Sequence, residues 1–153
     1  MELLKDPMIE IIYQLLSAAI FGGLVGLERE YKKKEAGLRT YTLVSLGAAL
    51  FTIISFGTAK GFLGNPGVSF DPGRIVGQIV VGIGFLGSGI IVFRGFHIEG
   101  LTTAAGLWIV AAIGCAVGAK LYFPASFVTF LTIGILAGLR IIEEKAFDKK
   151  ESE

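Results

Sequence analysis

The chain has 153 residues, of which 53% are hydrophobic and 22 are glycine, and its mean hydropathy is +0.71. This composition is too apolar for a soluble domain of that length and is typical of a membrane protein. The net charge of +1 gives no reason to expect a nucleic-acid partner, and the single cysteine, Cys115, excludes an intrachain disulfide and a cysteine-based metal cluster.

Five apolar runs are long enough to cross a bilayer as helices, because a hydrocarbon core of about 30 Å requires about 20 helical residues. We place them at about Met8–Leu27, Thr40–Thr58, Gly73–Phe93, Leu101–Lys120 and Pro124–Ile142. The sequence therefore predicts an all-α fold, a polytopic membrane bundle of about five transmembrane helices.

The N-terminal residues include acids where a signal peptide has a basic region, so we expect the first apolar run to remain as a helix. We predict one transmembrane domain over residues 1–143. A short charged cytoplasmic tail is expected over residues 144–153, with no C-terminal soluble domain.

The distribution of Lys and Arg predicts the orientation, since basic residues are retained on the cytoplasmic side. With the N-terminus outside, ten of the fourteen basic residues face the cytoplasm. These ten are Arg29, Lys32, Lys33, Lys34, Arg39, Arg94, Arg140, Lys145, Lys149 and Lys150. We therefore predict an outside N-terminus and a cytoplasmic C-terminus, with the run Lys32–Lys34 as a topology anchor next to anionic headgroups.

The third apolar run has glycines on two opposite sides, and small residues mark the faces where membrane helices pack. We expect this helix to lie at the centre of the bundle and a homo-oligomer, most simply a dimer, to be plausible. The glycines expected to pack are Gly77, Gly82, Gly84, Gly87 and Gly89. The run GIGFLG matches a nucleotide-binding pattern in letters only, because it lies inside an apolar span.

A polar rim is predicted where the helices end on the cytoplasmic side. Its residues are Glu28, Arg29, Glu30, Arg39, Thr40, Glu99, Thr102 and Thr103. The acids either form structural ion pairs with the arginines or hold a hard cation, such as Mg²⁺, through their oxygens. We hypothesise that Arg39 pairs with Glu28 or Glu99 across the rim.

Three polar residues lie at the start of the third run, on the side of the membrane opposite to the cytoplasmic rim. We expect Asp71 to be the acid at the N-terminus of this helix and to form an ion pair with Arg74. We expect the Gln78 amide to form a hydrogen bond to another helix. Alternatively, the three together line an outer mouth.

No residue pattern favours catalysis. No Ser or Cys has a visible base, and the lone histidine, His97, lacks a second metal-binding partner and is expected to be solvated in a loop. Trp108 and Cys115 are expected to pack within a helix. We therefore predict neither an enzyme nor a cofactor, and leave the identity of any metal open.

Three blocks resemble the membrane domain of the MgtC/SapB family. They are GGLVGLEREYKKKEAGLRTYTLVSLGAALF from Gly22, DPGRIVGQIVVGIGFLGSGII from Asp71 and GLTTAAGLW from Gly100. The resemblance has two departures. Gly106 occupies a position where the family commonly has Thr, and we do not expect the soluble C-terminal domain that some family members carry. The family's motif residues map onto Glu28, Arg29, Glu30, Gly37, Arg39, Thr40, Asp71, Arg74, Gln78, Gly100, Thr102 and Thr103.

The resemblance implies a bacterial inner-membrane protein linked to growth under magnesium limitation, with the membrane ATP synthase as a partner of the virulence-associated members. Two function classes remain open. A regulator or interaction module would use the polar rim to bind a partner or ligand. A cation channel or transporter would need a continuous polar path, for which the middle of the membrane offers few groups.

Overall fold

The computed structural model describes residues 6–62 and 71–147, which form five helices and one short β-hairpin. The helices are α1 (Pro7–Tyr31), α2 (Leu38–Phe62), α3 (Pro72–Ser88), α4 (Leu101–Gly118) and α5 (Tyr122–Phe147). Strands β1 (Val92–Arg94) and β2 (His97–Glu99) lie between α3 and α4. The predicted helical bundle is confirmed.

Four helices, α1, α2, α4 and α5, contain segments long and apolar enough to cross a membrane. Helix α3 has 17 residues, which corresponds to about 25 Å of helix. The five spans and their orientation stay predictions. Helix α5 continues to Phe147, so the first residues of the predicted tail are helical, whereas residues 148–153 lie outside the described residues.

Two helices begin with the same Asp-Pro device. The Asp6 carboxylate accepts a hydrogen bond from the Met8 amide at 2.9 Å, and the Asp71 carboxylate accepts one from the Gly73 amide at 2.8 Å. Each bond satisfies an amide that has no partner within its helix, and proline suits the first helical position. Asp71 is therefore an N-cap, and within the described residues it forms no ion pair with Arg74.

Helix α3 ends at Ser88, five residues before the predicted end at Phe93. The remaining apolar residues form β1, which pairs antiparallel with β2 through Val92–Glu99, Phe93–Ile98 and Arg94–His97. Gly95 has φ of +63° in the two-residue turn, and Gly100 has φ of +86° before α4. A short apolar run rich in β-branched residues does not distinguish strand from helix, which explains the wrong boundary.

Helix α4 contacts all four other helices, and α1, α2 and α4 pack closely against one another. A Cβ atom on Gly26 of α1 would lie 2.8 Å from the Cβ of Tyr41, and one on Gly118 of α4 would lie 2.7 Å from the Ala49 carbonyl oxygen. Real Cβ atoms do not approach so closely, so glycine is required for these helix contacts. The glycines that contact α2 in this way are Gly22, Gly26, Gly106, Gly114 and Gly118.

The predicted central position of α3 is wrong for the single chain. Helix α3 packs at the edge of the bundle against α2 and α4, and its Val81 and Phe85 are 67% and 79% exposed. A Cβ atom on Gly77, Gly82 or Gly84 would meet no described atom within 4 Å. A periodic glycine face shows that a helix can be approached closely, but it does not identify the neighbour.

The other two glycines of α3 differ from those three. A Cβ on Gly87 would lie 3.5 Å from the Ala104 side chain of α4, which is ordinary contact. Gly89 is the C-cap of α3, and a Cβ there would lie 3.4 Å from the Leu86 carbonyl oxygen of its own helix. Of the five predicted packing glycines, Gly87 therefore packs against a neighbouring helix.

Helix α1 is also fixed to the turn between α4 and α5. The buried Gln14 amide donates hydrogen bonds to the carbonyl oxygens of Val117 and Gly118, at 3.2 and 2.8 Å. Both carbonyls belong to the last turn of α4, where no amide of the same helix is available to them. The Lys120 ammonium group pairs with Glu10 at 2.6 Å at the same end of the bundle.

We predict that Gly114→Ala lowers the free energy of unfolding in detergent by about 1–3 kcal/mol, because overpacking forces helix backbones apart. The new Cβ would collide with the Ser45 carbonyl oxygen and lie 3.0 Å from the Ala48 side chain. Gly134→Ala in α5 is the matched control, since a Cβ there meets no described atom within 4 Å. Equal thermal melting of the two variants would contradict a close α2–α4 contact.

Candidate functional site

A buried ion pair lies at the end of α1. The Arg29 side chain is 3% exposed, and its Nε donates to the carboxylate of Glu28, which is 11% exposed. The other carboxylate oxygen, Glu28 Oε1, is buried and has no hydrogen-bond partner among the described residues. The positive charge of Arg29 therefore offsets the desolvation cost of burying this acid, since an unpaired charge in this position would be strongly destabilising.

The next acid positions the start of α2. The Glu30 carboxylate accepts a hydrogen bond from the Leu38 amide at 3.1 Å, which is one of the amides at the start of α2. A Cβ on Gly37 would collide with Glu30 Oε2, so the loop needs glycine there for this contact. Glu30 thus holds the ends of α1 and α2 at a fixed separation.

The loop between α1 and α2 is also bound to α4. The Thr103 hydroxyl, on a residue that is 2% exposed, donates to Glu35 Oε2 at 2.6 Å. The hydroxyl of the fully buried Tyr41 donates to the Thr103 carbonyl oxygen at 3.1 Å. Thr103 therefore connects α4 both to the loop and to α2.

The position of Tyr41 explains why residue 106 is a glycine. A Cβ on Gly106 would collide with the Tyr41 hydroxyl group. The threonine that the MgtC/SapB family commonly has at position 106 would be incompatible with Tyr41 in this position. The glycine and the buried tyrosine are therefore complementary features of this chain.

The Thr103 hydroxyl holds the pKa of Glu35 below its ordinary value, because the hydrogen bond stabilises the ionised carboxylate. The charges of Lys34 and Arg29 act in the same direction, and partial burial opposes them. A lowered pKa means that this contact contributes stability above the ordinary pKa range of Glu. The contribution is lost as the pH falls through the lowered value.

We define the rim cluster as Glu28, Arg29, Glu30, Glu35, Tyr41 and Thr103. Three hydrogen bonds join α1, the following loop, α2 and α4, and the ion pair between Glu28 and Arg29 lies within α1. Each of its acids has a partner within the chain, namely an arginine, a backbone amide or a hydroxyl. Across residues 6–62 and 71–147, no three His, Cys, Asp or Glu side chains are grouped so that they could hold a metal ion.

The other predicted rim residues lie outside this cluster. Glu99 pairs with Arg94 across the hairpin at 3.1 Å, where both side chains are exposed, and Thr102 is exposed at the start of α4. Arg39 and Thr40 are exposed and line a groove between α2 and α3. The hypothesised pairing of Arg39 with Glu28 or Glu99 is wrong, because each acid is paired with its own neighbouring arginine.

The three residues of the predicted outer mouth do not form a common site in this structure. Asp71 caps α3, Arg74 is exposed on its first turn, and Gln78 lines the groove between α2 and α3. Gln78 makes no hydrogen bond to another described residue. His97 is exposed, as predicted, but it lies in β2 rather than in a loop.

Two members of the rim cluster, Glu35 and Tyr41, were not among the predicted site residues. Glu35 and Thr103 are 68 positions apart, and Tyr41 and Thr103 are 62 positions apart. No local pattern connects such distant residues. The available signal was an acid within the basic loop and a glycine in α4 where a large side chain from another helix has room.

We predict that Arg29→Met lowers the free energy of unfolding by about 3–5 kcal/mol, because it leaves Glu28 buried and unpaired. Adding Glu28→Met to Arg29→Met should recover much of that loss, since no uncompensated charge remains. Glu10→Gln removes the more exposed pair with Lys120 and should cost less than about 1 kcal/mol. Denaturation in detergent is measured for the unchanged protein, Glu28→Met, Arg29→Met, the double variant and Glu10→Gln. Additive effects of the Glu28 and Arg29 substitutions would refute the coupling.

The chain matches the family model described as MgtC family over residues 15–145. It is 42% identical over 127 residues to the protein named putative magnesium transporter YhiD of Escherichia coli (strain K12), covering 83% of this chain and 59% of that protein. It is 43% identical over 134 residues to Protein MgtC of Brucella abortus (strain 2308), covering 88% and 53%.

A third relative is Protein MgtC of Salmonella typhimurium (strain LT2), which is 45% identical over 111 residues, or 72% of this chain and 44% of that protein. The chain thus spans about half the length of the curated relatives it matches. No solved structure matches the chain significantly. The apolar helices and these matches identify a membrane protein, and the chain belongs to the MgtC family.

Proposed function

We propose that this chain is a non-enzymatic regulator in the bacterial inner membrane, where it supports magnesium homeostasis and growth under magnesium limitation. Membership of the MgtC family and the printed name of the Escherichia coli relative support the link to magnesium. The chain would be a multi-pass protein with the rim cluster on the cytoplasmic side, in agreement with the ten-to-four distribution of basic residues.

The main observation behind this proposal is that the acids of the rim cluster are bound by other groups of the same chain. Glu28, Glu30 and Glu35 are already bound to groups of the same chain. An acid that is neutralised in this way fixes a surface, whereas a transport site would have to give up these contacts to bind an ion. The close glycine contacts of α1 and α4 with α2 also leave little room for water between these helices.

The partner of this surface would be another protein of the same membrane. The resemblance suggests the ATP synthase, and the basic run Lys32–Lys34 next to the rim cluster would direct the loop toward anionic headgroups or an acidic partner. A homo-oligomer would use the side of α3 that carries Gly77, Val81 and Gly84, where side chains and glycines are exposed.

Magnesium transport is the alternative function, and it is favoured by the name of the Escherichia coli relative, putative magnesium transporter YhiD. A pore would then form between copies of the chain rather than inside one copy. Its polar lining would have to come from residues such as Gln78, which is exposed on α3.

We predict that Thr103→Val abolishes growth at limiting magnesium in a strain without its own copy of this protein. The substitution removes the hydroxyl that binds Glu35 and keeps the shape of the side chain. Thr102→Val is the matched control, because it makes the same change at the neighbouring exposed position and should support growth. Immunoblots of the membrane fraction must show equal amounts of both variants.

Magnesium flux separates the two functions. Purified protein in liposomes loaded with a magnesium-sensitive dye should give no more flux than empty liposomes. Flux that depends on the protein would contradict the regulator and support the transporter. Equal growth of the Thr102 and Thr103 variants would instead contradict the role of the rim cluster.

A further inference from the structure

A groove runs along the outside of the bundle between α2 and α3. Its volume is about 770 Å³, which lies within the range of about 300–1,000 Å³ that is usual for small-molecule sites. Most of its lining is apolar, including Leu43 and Phe51 of α2 and Ile79 of α3. Arg39 and Thr40 supply polar groups at one end, and Gln78 lies on the wall.

Glycines on both walls contribute to the open space of the groove, because they have no side chains to fill it. Gly47 of α2 and Gly82 of α3 both line it, and a Cβ on either would meet no described atom within 4 Å. The glycines of α1 and α4 that face α2, such as Gly26 and Gly118, instead lie in close contact with it. The empty space is therefore a property of this pair of helices.

The charged end has no partner within the described chain. Arg39 lies in the first turn of α2 and is exposed, and within residues 6–62 and 71–147 it forms no ion pair. A guanidinium group binds phosphate through two parallel hydrogen bonds, and a neighbouring threonine hydroxyl adds a third donor. The charge at this end thus complements an anionic phosphate group.

The length of the groove agrees with a lipid chain. Its α2 wall extends from Arg39 to Phe51, which is about 18 Å at 1.5 Å per residue. One leaflet of a bilayer core is about 15 Å thick. A phosphate at the start of α2 would therefore place an acyl chain along the full apolar wall.

We propose that the groove between α2 and α3 binds a phospholipid with an anionic headgroup, its phosphate on Arg39 and Thr40 and one acyl chain against the apolar wall. A second copy of this chain is the other candidate occupant. The lipid is favoured because one molecule satisfies both the exposed guanidinium and the apolar groove. This binding does not depend on the proposed function.

Native mass spectrometry of the purified chain with added phosphatidylglycerol or phosphatidylethanolamine tests the proposal. The unchanged protein should prefer the anionic lipid. Arg39→Gln should weaken phosphatidylglycerol binding about tenfold and remove the preference, because it deletes a charge-assisted hydrogen bond. Arg74→Gln removes the same charge from the exposed first turn of α3, outside the groove, and should leave both affinities unchanged.

A second pair of variants tests the apolar part of the groove. Gly82→Leu should fill the groove and weaken the binding of both lipids. Gly134→Leu in α5 is the control, because Gly134 is equally open but lies outside the groove. Gln78→Leu makes the wall more apolar and should keep or increase lipid binding. Unchanged melting temperatures would show that the variants are folded.

Several outcomes would overturn the proposal. Equal lipid binding by the unchanged chain and Gly82→Leu would exclude the groove as the site. Displacement of the lipid by inorganic phosphate alone, or loss of binding in Gln78→Leu, would indicate a polar ligand instead. Conversion of a dimer to a monomer by Gly82→Leu, with lipid binding unchanged, would show that a second copy occupies the groove.

Discussion

The close approach of α1 and α4 to α2 is the constraint on which the rest of the bundle depends. Lipid gives no hydrophobic gain when two apolar helices meet, so contact relies on packing and hydrogen bonds. Gly26 of α1 and Gly118 of α4 each allow close contact with α2. The Gln14 amide adds hydrogen bonds to two carbonyls that α4 itself leaves free. These contacts fix three helices at a separation that larger residues would prevent.

The polar rim follows from this packing. With α1, α2 and α4 packed against one another, the hydroxyl of Tyr41 reaches the Thr103 carbonyl oxygen, and Glu35 in the loop reaches the Thr103 hydroxyl. Arg29 is buried at the same end and needs Glu28 as its counterion. Charge interactions are strong there because the surroundings have a low dielectric constant. Helix α3 lies outside this core, which explains both its exposed surface and the groove beside it.

Hydropathy predicted the helices well, because the length of an apolar run is set by the bilayer and by few competing constraints. The end of α3 was wrong, since the short run before Phe93 satisfies strand and helix patterns alike. The predicted central position of α3 was also wrong, because the sequence shows the glycines of α3 but not the helices that lie next to them. The contact between Glu35 and Thr103 requires the packed helices, as does the reason for Gly106.

An experimental structure in lipid nanodiscs with magnesium would show whether the chain has a closed core of three helices whose rim acids are bound by groups of the same chain. We expect α1, α2 and α4 to pack closely against one another, with Glu35 bound to the Thr103 hydroxyl and no ion within the core. A continuous water-filled polar passage between these helices, or a magnesium ion bound by Glu28 and Glu35 in place of Arg29 and Thr103, would contradict the account.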